Sequence, residues 1–468
     1  MFSTETYTDR RRTLLRADAP SSGLIVLLGN EPCAMNYRAN PYPFRQDSTF
    51  LYYFGLDVPG LEGVIDLDEG ETVLYGDDPT LDDVVWMGES PSMQEYAERV
   101  GVRIVSDRSA LADDLATAQN QGRPVHFLPP YRETHYHRIG QLLGLRRDRI
   151  DEHVSAPLVR TVVRQRLTKS EEEIAELEDA VALTGRMHEQ AMREAAPGKV
   201  EREIAGAIAG MADAHGRGLS FRPTCSIHGE VLHNHDYSNT LQGDDLLLVD
   251  AGAQSERYYA GDITRVTPVD GQFTPRQKAI YTAVLDAQTA AIDAIEPGVP
   301  YRDVHLLACR ILTARLIDIG LMQGNVDDAV DAGAHALFFP HGLGHMLGLD
   351  THEMENLGED VVGYAEHQDR SEQFGLHTLR LARPLEPGHV LTIEPGCYFI
   401  PELIDRWRSE GRHTAFINYD AVSDFRDFGG VRIEDDVYVT SNGRRVLGPG
   451  IPKSVDAVET RASAGIEA

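Results

Sequence analysis

The sequence has few cysteines and no long apolar run. Its four cysteines lie far apart and form no CxxC pair: Cys33, Cys225, Cys309 and Cys397. This pattern argues against a zinc ribbon and a disulfide framework, and it favours reduced thiols in a cytosol. The apolar run LIVLL is far too short to span a membrane, and the N-terminal MFSTETYTDRRRTLL lacks the apolar core of a signal peptide. We therefore expect a cytoplasmic protein without a membrane partner.

Lysine is also scarce. Only four of the 44 basic residues are lysine, the acidic residues number 74, and the net charge is −30. This charge would repel a phosphate backbone, and no cluster of basic residues is large enough to reverse it locally, so we expect no nucleic-acid partner. Arginine-rich codon usage explains the scarcity of lysine. Adaptation to high salt, where screening relieves self-repulsion, is the alternative explanation.

The chain is long enough for two domains, because 468 residues exceed what one hydrophobic core usually spans. In residues 1–160, short apolar runs alternate with polar helical stretches, which predicts an α/β domain. The expected strands include GLIVLLG, STFLYYFGL, EGVIDLD and ETVLYG. Ser170 and Glu173 then form a capping box that opens a long helix to about Ala195. We predict a second domain over residues 161–455 and a C-terminal tail over residues 456–468.

The second domain repeats part of its own sequence. PGKVEREI at 197–204 matches PGVPYRDV at 297–304, and DLLLVDAG at 245–252 aligns without gaps to HVLTIEPG at 389–396. Either match alone is weak evidence, because Pro-Gly before a helix and an acidic residue at the end of a strand are common in unrelated proteins. Two matches in the same order favour an α+β domain with an internal pseudo-twofold duplication. The axis-facing strands would then converge on a cleft.

Two aspartates lie on a predicted hairpin in the first half of this domain. Asp250 ends the apolar run LLLVD, and Asp262 lies on the returning strand YYAGDITRVTP. Two facing carboxylates in a half-buried sheet would repel each other, which indicates a positive charge between them. Taken alone, the same pair fits turn aspartates that point to solvent.

A glycine-rich segment, FFPHGLGHMLGLDTHE, places three histidines at His341, His345 and His352. The first two have an i, i+4 spacing, which would put them on one face of a helix, and the glycines permit close backbone approach to a ligand. Such a segment fits a metal or substrate site, and it also fits a mobile surface loop.

Two glutamates complete the pattern. Glu394 ends the apolar run VLTIE, and Glu434 lies within GGVRIEDDVYVT, where strand alternation puts Arg432 on the same face. Carboxylates in such apolar strands are expected to be paired or metal-bound. A salt bridge from Glu434 to an arginine is the alternative.

Together, Asp250, Asp262, Glu394 and Glu434 supply four negative charges, which two divalent cations would neutralise. Mostly oxygen ligands with one histidine and no thiolate favour Mn²⁺ over Zn²⁺. Two ions about 3.5 to 4 Å apart can share a water, lower its pKa to about 7 and direct the hydroxide at a carbonyl carbon. This is peptide hydrolysis chemistry. Serine and cysteine hydrolase chemistry has less support, because the sequence contains no GxSxG motif.

These motifs resemble, in order, those of the aminopeptidase P and prolidase branch of the M24 pita-bread metallopeptidase family. They are DAG with GDITR, HGLGHMLGLDTHE, LTIEPGCY and VRIEDD, and the segment FRQDSTFLYYFGL resembles the family's N-terminal domain. The resemblance implies an α/β N-terminal domain of the creatinase and aminopeptidase P type, followed by a pita-bread catalytic domain. It also implies two Mn²⁺ ions, peptide substrates with proline in the second position, and a homodimer or homotetramer.

The resemblance also implies roles for individual residues. Asp250 resembles a terminal ligand, Asp262 and Glu434 resemble bridging ligands, and His345 and Glu394 complete one ion's shell. The residues expected to contact substrate or transition state are His233, His341 and His352, and Glu394 or a bridging carboxylate is expected to handle the water proton. Arg432 and Tyr398 resemble supporting or substrate-side residues.

Two segments, 354–385 and 401–426, are longer than a minimal aminopeptidase P needs, which leaves Xaa-Pro dipeptidase (prolidase) activity as the alternative. The FRQDS and HGLGHMLGLDTHE motifs favour aminopeptidase P. A metal-independent creatinase-like hydrolase and a non-catalytic pita-bread binding protein are further alternatives, against which the five intact ligand positions argue. Methionine aminopeptidase normally lacks the large N-terminal domain.

Overall fold

The computed structural model describes residues 1–17 and 20–466. The chain divides into two compact units, Met1–Arg166 and Leu167–Ala468. The sequence analysis placed this division near residue 160. None of the helices in the described ranges has the length and apolar character needed to cross a bilayer.

The first unit is an α/β domain. Its sheet has five strands in the order β6-β5-β4-β1-β7, with mixed parallel and antiparallel pairing, and β2 and β3 form a separate hairpin. The helices are α1 (Thr4–Leu15), α2 (Ser48–Phe54), α3 (Leu81–Met87), α4 (Met93–Arg99), α5 (Leu111–Asn120), α6 (Glu133–Leu143) and α7 (Ala156–Leu167). The strands are β1 (Leu24–Leu28), β2 (Ala34–Tyr37), β3 (Asn40–Pro41), β4 (Glu62–Asp66), β5 (Glu71–Tyr75), β6 (Ile104–Ser106) and β7 (Val125–His126).

The prediction that STFLYYFGL is a strand is wrong, because Ser48–Phe54 forms helix α2. Asp47 caps this helix by accepting a hydrogen bond from the Phe50 amide, and Gly55 ends it in the left-handed region at φ 64°. All seven helical residues are buried. An aromatic segment that is buried on every side shows no helical periodicity, so composition alone suggests a strand.

The second unit contains three short antiparallel sheets, with orders β10-β9-β8, β11-β14-β15 and β12-β13. Its helices are α8 (Glu171–Glu194), α9 (Glu201–His215), α10 (Pro275–Asp293), α11 (Tyr301–Ile319), α12 (Val326–Asp331), α13 (Glu359–Gly363), α14 (Pro401–Ser409), α15 (Tyr419–Ser423) and α16 (Val455–Ile466). Its strands are β8 (Thr224–Ser226), β9 (Leu246–Ala251), β10 (Ile263–Pro268), β11 (Val390–Ile393), β12 (Gly396–Tyr398), β13 (Gly430–Arg432), β14 (Asp435–Thr440) and β15 (Gly443–Val446).

The duplication predicted from sequence is present in the backbone hydrogen bonds of the second unit. The Gly198 amide donates to the Leu241 carbonyl at 2.9 Å, and the Gly298 amide donates to the Leu385 carbonyl at 2.7 Å. Both glycines have positive φ, at 91° and 87°, and each precedes a long helix, α9 or α11. The two halves therefore fold as equivalent α+β units.

The segment 456–468, predicted as a tail, contains most of helix α16, which packs against α8. Val458 and Ala462 are fully buried one turn apart, and Arg461 pairs with Glu189 at 3.2 Å. The prediction of a tail is corrected: the short apolar stripe suffices to dock the helix because α8 supplies the opposite surface.

The two longer segments are folded. In 354–385, Met354 and Leu379 are buried, and the backbone carbonyl of Arg383 accepts a hydrogen bond from the Tyr301 amide at 3.0 Å. In 401–426, Trp407 is buried, and the Asn418 amide donates to the Leu321 carbonyl at 3.0 Å. Both segments are therefore fixed to the second unit by backbone hydrogen bonds.

Candidate metal centre

The β9–β10 hairpin supplies the first two carboxylates. Asp250 lies in β9 directly opposite Thr264 of β10, and Asp262 comes just before β10 begins at Ile263. The Asp262 amide donates to Oδ2 of Asp436 at 3.0 Å, which fixes the start of the returning strand. The two aspartates lie close together, as the hairpin predicts, and burial together with the charge of Asp250 raises the pKa of Asp262.

The histidine segment is an irregular loop, so the i, i+4 spacing of His341 and His345 does not lie on a helix. The His345 amide donates to Oγ1 of Thr392 at 3.1 Å, and its Nδ1 lies 3.1 Å from the Met346 carbonyl. Nε2 of His345 therefore faces the carboxylates, 3.4 Å from Asp262 and 3.6 Å from Glu394. Gly344 permits this approach, because a Cβ there would lie 2.2 Å from the Thr392 carbonyl oxygen.

Glu434 enters the same space where the strand is interrupted between β13 and β14. Its Oε2 accepts from Oγ1 of Thr264 at 2.6 Å, and its amide donates to the Thr264 carbonyl at 3.1 Å. Ligand atoms of Asp262, His345 and Glu434 all lie within 4.8 Å of one another. Thr264 and Glu434, which are 170 positions apart in sequence, are thus brought into contact.

Arg432 connects this cluster to His341. The guanidinium donates from Nη2 to Asp250 at 2.6 Å, from Nη1 to the Tyr398 hydroxyl at 3.0 Å, and from Nε to Thr264 at 3.1 Å. The Tyr398 hydroxyl in turn donates to Nε2 of His341 at 2.8 Å. Tyr398, predicted on the substrate side, is fully buried behind His341. This arrangement fixes the ring of His341 relative to the carboxylates.

The remaining two predicted histidines differ in how they are held. His352 packs its ring against His345 at 4.3 Å, hydrogen-bonds Glu355 through Nδ1, and lies 3.4 Å from Arg380 through Nε2. His233 is exposed on the loop between β8 and β9, and among the described residues its ring has no hydrogen-bond partner. Partial desolvation and the nearby Arg432 lower the pKa of His233.

Crowding and burial shift the titration of this cluster. Burial raises the pKa of Asp262 and Glu434 well above the ordinary carboxyl range, and neighbouring carboxylates raise it further. Burial also raises the pKa of Glu394 to about 8, against the opposing effect of Arg432. Burial lowers the pKa of His345 to about 4, so near neutral pH its imidazole is uncharged and has a lone pair to donate.

The cluster fits a cation site. Within the described residues, Oδ1 of Asp250 and Oε1 of Glu434 are buried carboxylate oxygens with no hydrogen-bond partner. Buried polar atoms are normally satisfied, and unpaired carboxylate oxygens around a neutral imidazole are a suitable ligand set for a divalent ion. The predicted ligands Asp250, Asp262, His345, Glu394 and Glu434 are thus brought together, and their assignment as ligands is taken up below.

Sequence reasoning missed three residues of the cluster: Thr264, Asp436 and Arg380. Thr264 is two positions from Asp262 in a strand, so alternation already put both on one face. Asp436 shares a face with Arg432 and Glu434 by the same rule, and it is fully buried with its Oδ1 unpartnered among the described residues. No sequence signal identified Arg380, which reaches His352 from the segment 354–385.

Comparison with known proteins places this centre in a family. The model of metallopeptidase family M24 matches residues 175–441, and the model of the aminopeptidase P N-terminal domain matches residues 7–126. The chain belongs to metallopeptidase family M24. It is therefore a metallopeptidase with an N-terminal domain of the aminopeptidase P type, as the motifs predicted.

Individual relatives cover nearly the whole chain. It is 33% identical to a human Xaa-Pro dipeptidase over 454 residues, spanning 94% of this chain and 88% of the relative. It is 30% identical to a probable Xaa-Pro aminopeptidase of Fusarium vanettenii over 475 residues, spanning 99% and 97%. The structure of Escherichia coli aminopeptidase P with the inhibitor Pro-Leu matches with a TM-score of 0.81 and 28% identity, over 100% of both chains. The predicted two-domain pita-bread fold is confirmed.

Proposed function

We propose that the protein is an Xaa-Pro aminopeptidase that hydrolyses the N-terminal peptide bond before proline with the help of two divalent metal ions. The preferred ion is Mn²⁺. One observation carries the proposal: ligand atoms of Asp262, His345 and Glu434 lie within 4.8 Å of one another in an M24 domain. Glu394 lies 3.6 Å from His345, and Asp250 and Glu434 each have a buried oxygen without a hydrogen-bond partner among the described residues. Relatives named Xaa-Pro aminopeptidase and Xaa-Pro dipeptidase support the proline preference.

The charge balance supports two ions rather than one. Of the four ligand carboxylates, only that of Asp250 has an arginine or lysine ion pair among the described residues, with Arg432 at 2.6 Å. Three negative charges remain in a buried space, where uncompensated charge is costly. One divalent ion would leave a net negative charge. Two would leave a single positive charge, which suits an anion or a polarised carbonyl oxygen of the substrate.

Asp250, Asp262, His345, Glu394 and Glu434 would hold the ions. When bound, the ions supply a Lewis acid for the scissile carbonyl and a water that is easily deprotonated. Glu394 would be the acceptor for the water proton, because its carboxylate lies among the proposed ligands, 3.6 Å from Nε2 of His345. It returns that proton to the leaving proline nitrogen.

The histidines contact the substrate. His341 and His352 stand on either side of His345 in the loop, and their orientation is fixed by Tyr398 and by Glu355. Both rings are neutral near pH 7, since burial lowers their pKa. They are positioned to hydrogen-bond the peptide and the developing oxyanion. His233, which is exposed on the loop between β8 and β9, is the third histidine proposed to contact the substrate.

Xaa-Pro dipeptidase activity is the second candidate, and Arg380 favours it. Its side chain is about one third exposed, and it lies between His352 at 3.4 Å and Glu355 at 3.7 Å. A cation beside the catalytic histidines could pair with the free carboxylate that a dipeptide presents next to the scissile bond. A longer peptide presents no such charge at this position.

The experiment is an assay of Mn²⁺-loaded full-length enzyme on three substrates: an Xaa-Pro dipeptide, an Xaa-Pro-Yaa tripeptide, and a tripeptide of the same length with alanine in place of proline. We expect the proline tripeptide to give the highest kcat/KM. A higher kcat/KM for the dipeptide would assign the chain as a prolidase. Equal cleavage of the alanine tripeptide would overturn the proline preference, and cleavage of none would leave the metal-independent or non-catalytic alternatives.

We also propose a homodimer or homotetramer, supported by the exposed apolar side chains of helix α3 in the first unit. A cytoplasmic location is supported by the four cysteines, all of which are free.

A further inference from the structure

A second group of metal-ligating side chains lies outside the centre described above. His305 and Cys309 are one turn apart on α11, and His335 lies in the turn that precedes the histidine loop. One ligand atom from each residue falls within 4.8 Å of the other two. All three side chains are fully buried or nearly so. We call these three residues the α11 cluster.

The α11 cluster contains polar atoms without partners. Among the residues that the structure describes, neither ring nitrogen of His335 has a hydrogen bond, and Nδ1 of His305 has none. The only contact within the cluster at hydrogen-bonding distance is 3.4 Å, between Nε2 of His305 and Sγ of Cys309. Buried histidines whose ring nitrogens lack hydrogen bonds are rare in folded proteins, because each such nitrogen lowers the free energy of unfolding. Packing alone gives no reason for this arrangement.

We propose that the α11 cluster is a separate metal site, which binds one Zn²⁺ ion through two imidazole nitrogens and the Cys309 thiolate. In a tetrahedral zinc site, Zn–N distances near 2.0 Å and Zn–S distances near 2.3 Å put neighbouring ligand atoms about 3.5 Å apart. The separation of His305 and Cys309 already has this value, at 3.4 Å. The ligand atom of His335 lies within 4.8 Å of the other two.

The protonation of the α11 cluster is compatible with this ligand role. Burial lowers the pKa of His305 to about 3 and that of His335 to about 4, so both imidazoles are neutral and have a free lone pair. Burial raises the pKa of the Cys309 thiol, so zinc must displace its proton. The soft thiolate distinguishes this site from the oxygen-rich catalytic centre and selects zinc over manganese.

The position of the α11 cluster gives the bound ion a structural role. The Phe339 ring lies 5.5 Å from the His305 ring and 4.9 Å from the His341 ring. The cluster therefore supports the histidine loop from behind, one aromatic layer away from the proposed substrate-binding histidine. An ion there would tie this loop to α11.

The test uses full-length protein produced in cobalt-supplemented medium, so that the ion can enter during folding. Co²⁺ bound to a thiolate gives an intense charge-transfer band in the near ultraviolet, whereas Co²⁺ on carboxylates and imidazole does not. We expect this band in the unsubstituted protein and in Cys225→Ser, which removes another fully buried cysteine. We expect Cys309→Ser and His335→Leu to lack it, and zinc-loaded samples of either variant to contain one metal equivalent less.

A missing band in the unsubstituted protein, or an unchanged band in Cys309→Ser, would overturn the proposal. If Cys309→Ser does not fold, His335→Leu gives the same comparison, with near-ultraviolet circular dichroism to check folding. The Glu434→Gln variant should keep the thiolate band while losing metal from the catalytic centre. The proposal for the α11 cluster and the proposal for the catalytic centre are therefore tested separately.

Discussion

Glu434 is the residue on which the proposed centre depends most. One of its oxygens accepts from Thr264, and the other is buried without a partner among the described residues. We expect Glu434→Gln to lose at least one metal equivalent and to lower kcat more than about 100-fold, because even residues that only support a ligand typically cost 10- to 100-fold. Metal analysis and steady-state kinetics on the same sample measure both effects.

The matched control for this substitution is Glu176→Gln. Glu176 is also a buried acid, but it pairs with Ser255 and Arg257. Its loss should reduce stability without changing the metal content or kcat of the folded protein. A Glu434→Gln enzyme with full metal occupancy and ordinary turnover would rule out Glu434 as a ligand.

For single residues, the sequence predicted that the acidic side chains converge, but it did not predict the positions of the neighbouring Arg380 and Tyr398. Asp250, Asp262 and Glu434 could be found because a carboxylate in an apolar strand requires a partner. Arg380 could not, since an arginine in a polar segment carries no such conflict. The burial of Tyr398 could not be predicted either, because it depends on Arg432 and His341, which lie on other segments of the chain.

Among the elements, prediction succeeded where a local signal exists. The capping box of Ser170 and Glu173 opens α8, as expected. Strands β4 and β5 coincide with EGVIDLD and ETVLYG. The failure at α2 has the opposite cause, since a helix buried on all sides carries no periodic pattern. Burial of that kind is a property of the surrounding domain, not of the seven residues.

Helix α3 presents the contrary case, a helix with no buried residue. Leu81, Val85, Trp86 and Met87 are each at least 70% exposed, and the capping box of Thr80 and Asp83 holds the helix in shape. Exposed apolar side chains on one short helix favour contact with a second copy of the chain. We expect Trp86→Glu to weaken self-association at least about 10-fold, or about 1.4 kcal/mol.

Sedimentation velocity over a concentration series measures this effect. Trp86→Phe is the control, since it keeps an aromatic group and should keep the assembly. The interpretation of α3 as an interface is wrong if the unsubstituted chain is a monomer. It is also wrong if the Trp86→Glu variant has the same sedimentation coefficient as an oligomeric unsubstituted chain.

For the whole molecule, metal and protons compete for the same carboxylates. Without metal, the folded state holds protons on Asp262, Glu394 and Glu434 at pH values where the unfolded chain has released them. At these three carboxyls the folded state then binds more protons than the unfolded state, so their contribution to the free energy of unfolding falls as the pH rises. For Glu394 the window runs from its ordinary value of 4.5 to about 8.

We therefore expect metal-depleted protein to lose stability relative to metal-loaded protein from pH 5.5 to pH 7.5, by about 1.4 kcal/mol per pH unit for each such proton. Metal-loaded protein should not show this loss, because its ligands are already ionised. Denaturant unfolding at the two pH values, with and without chelator, measures the difference. If the metal-depleted protein gains stability relative to the metal-loaded protein over this interval, the titration of these carboxyls is contradicted.

The duplication has a consequence for assembly. The first half contributes Asp250 and Asp262, the second contributes His345, Glu394 and Glu434, and Arg265 of the first half donates to the Glu434 carbonyl of the second at 2.7 Å. The cluster therefore forms only when both halves are present and folded, and we expect a chain that ends before Glu434 to be inactive. Completion of the second half and completion of the centre are thus the same step of folding.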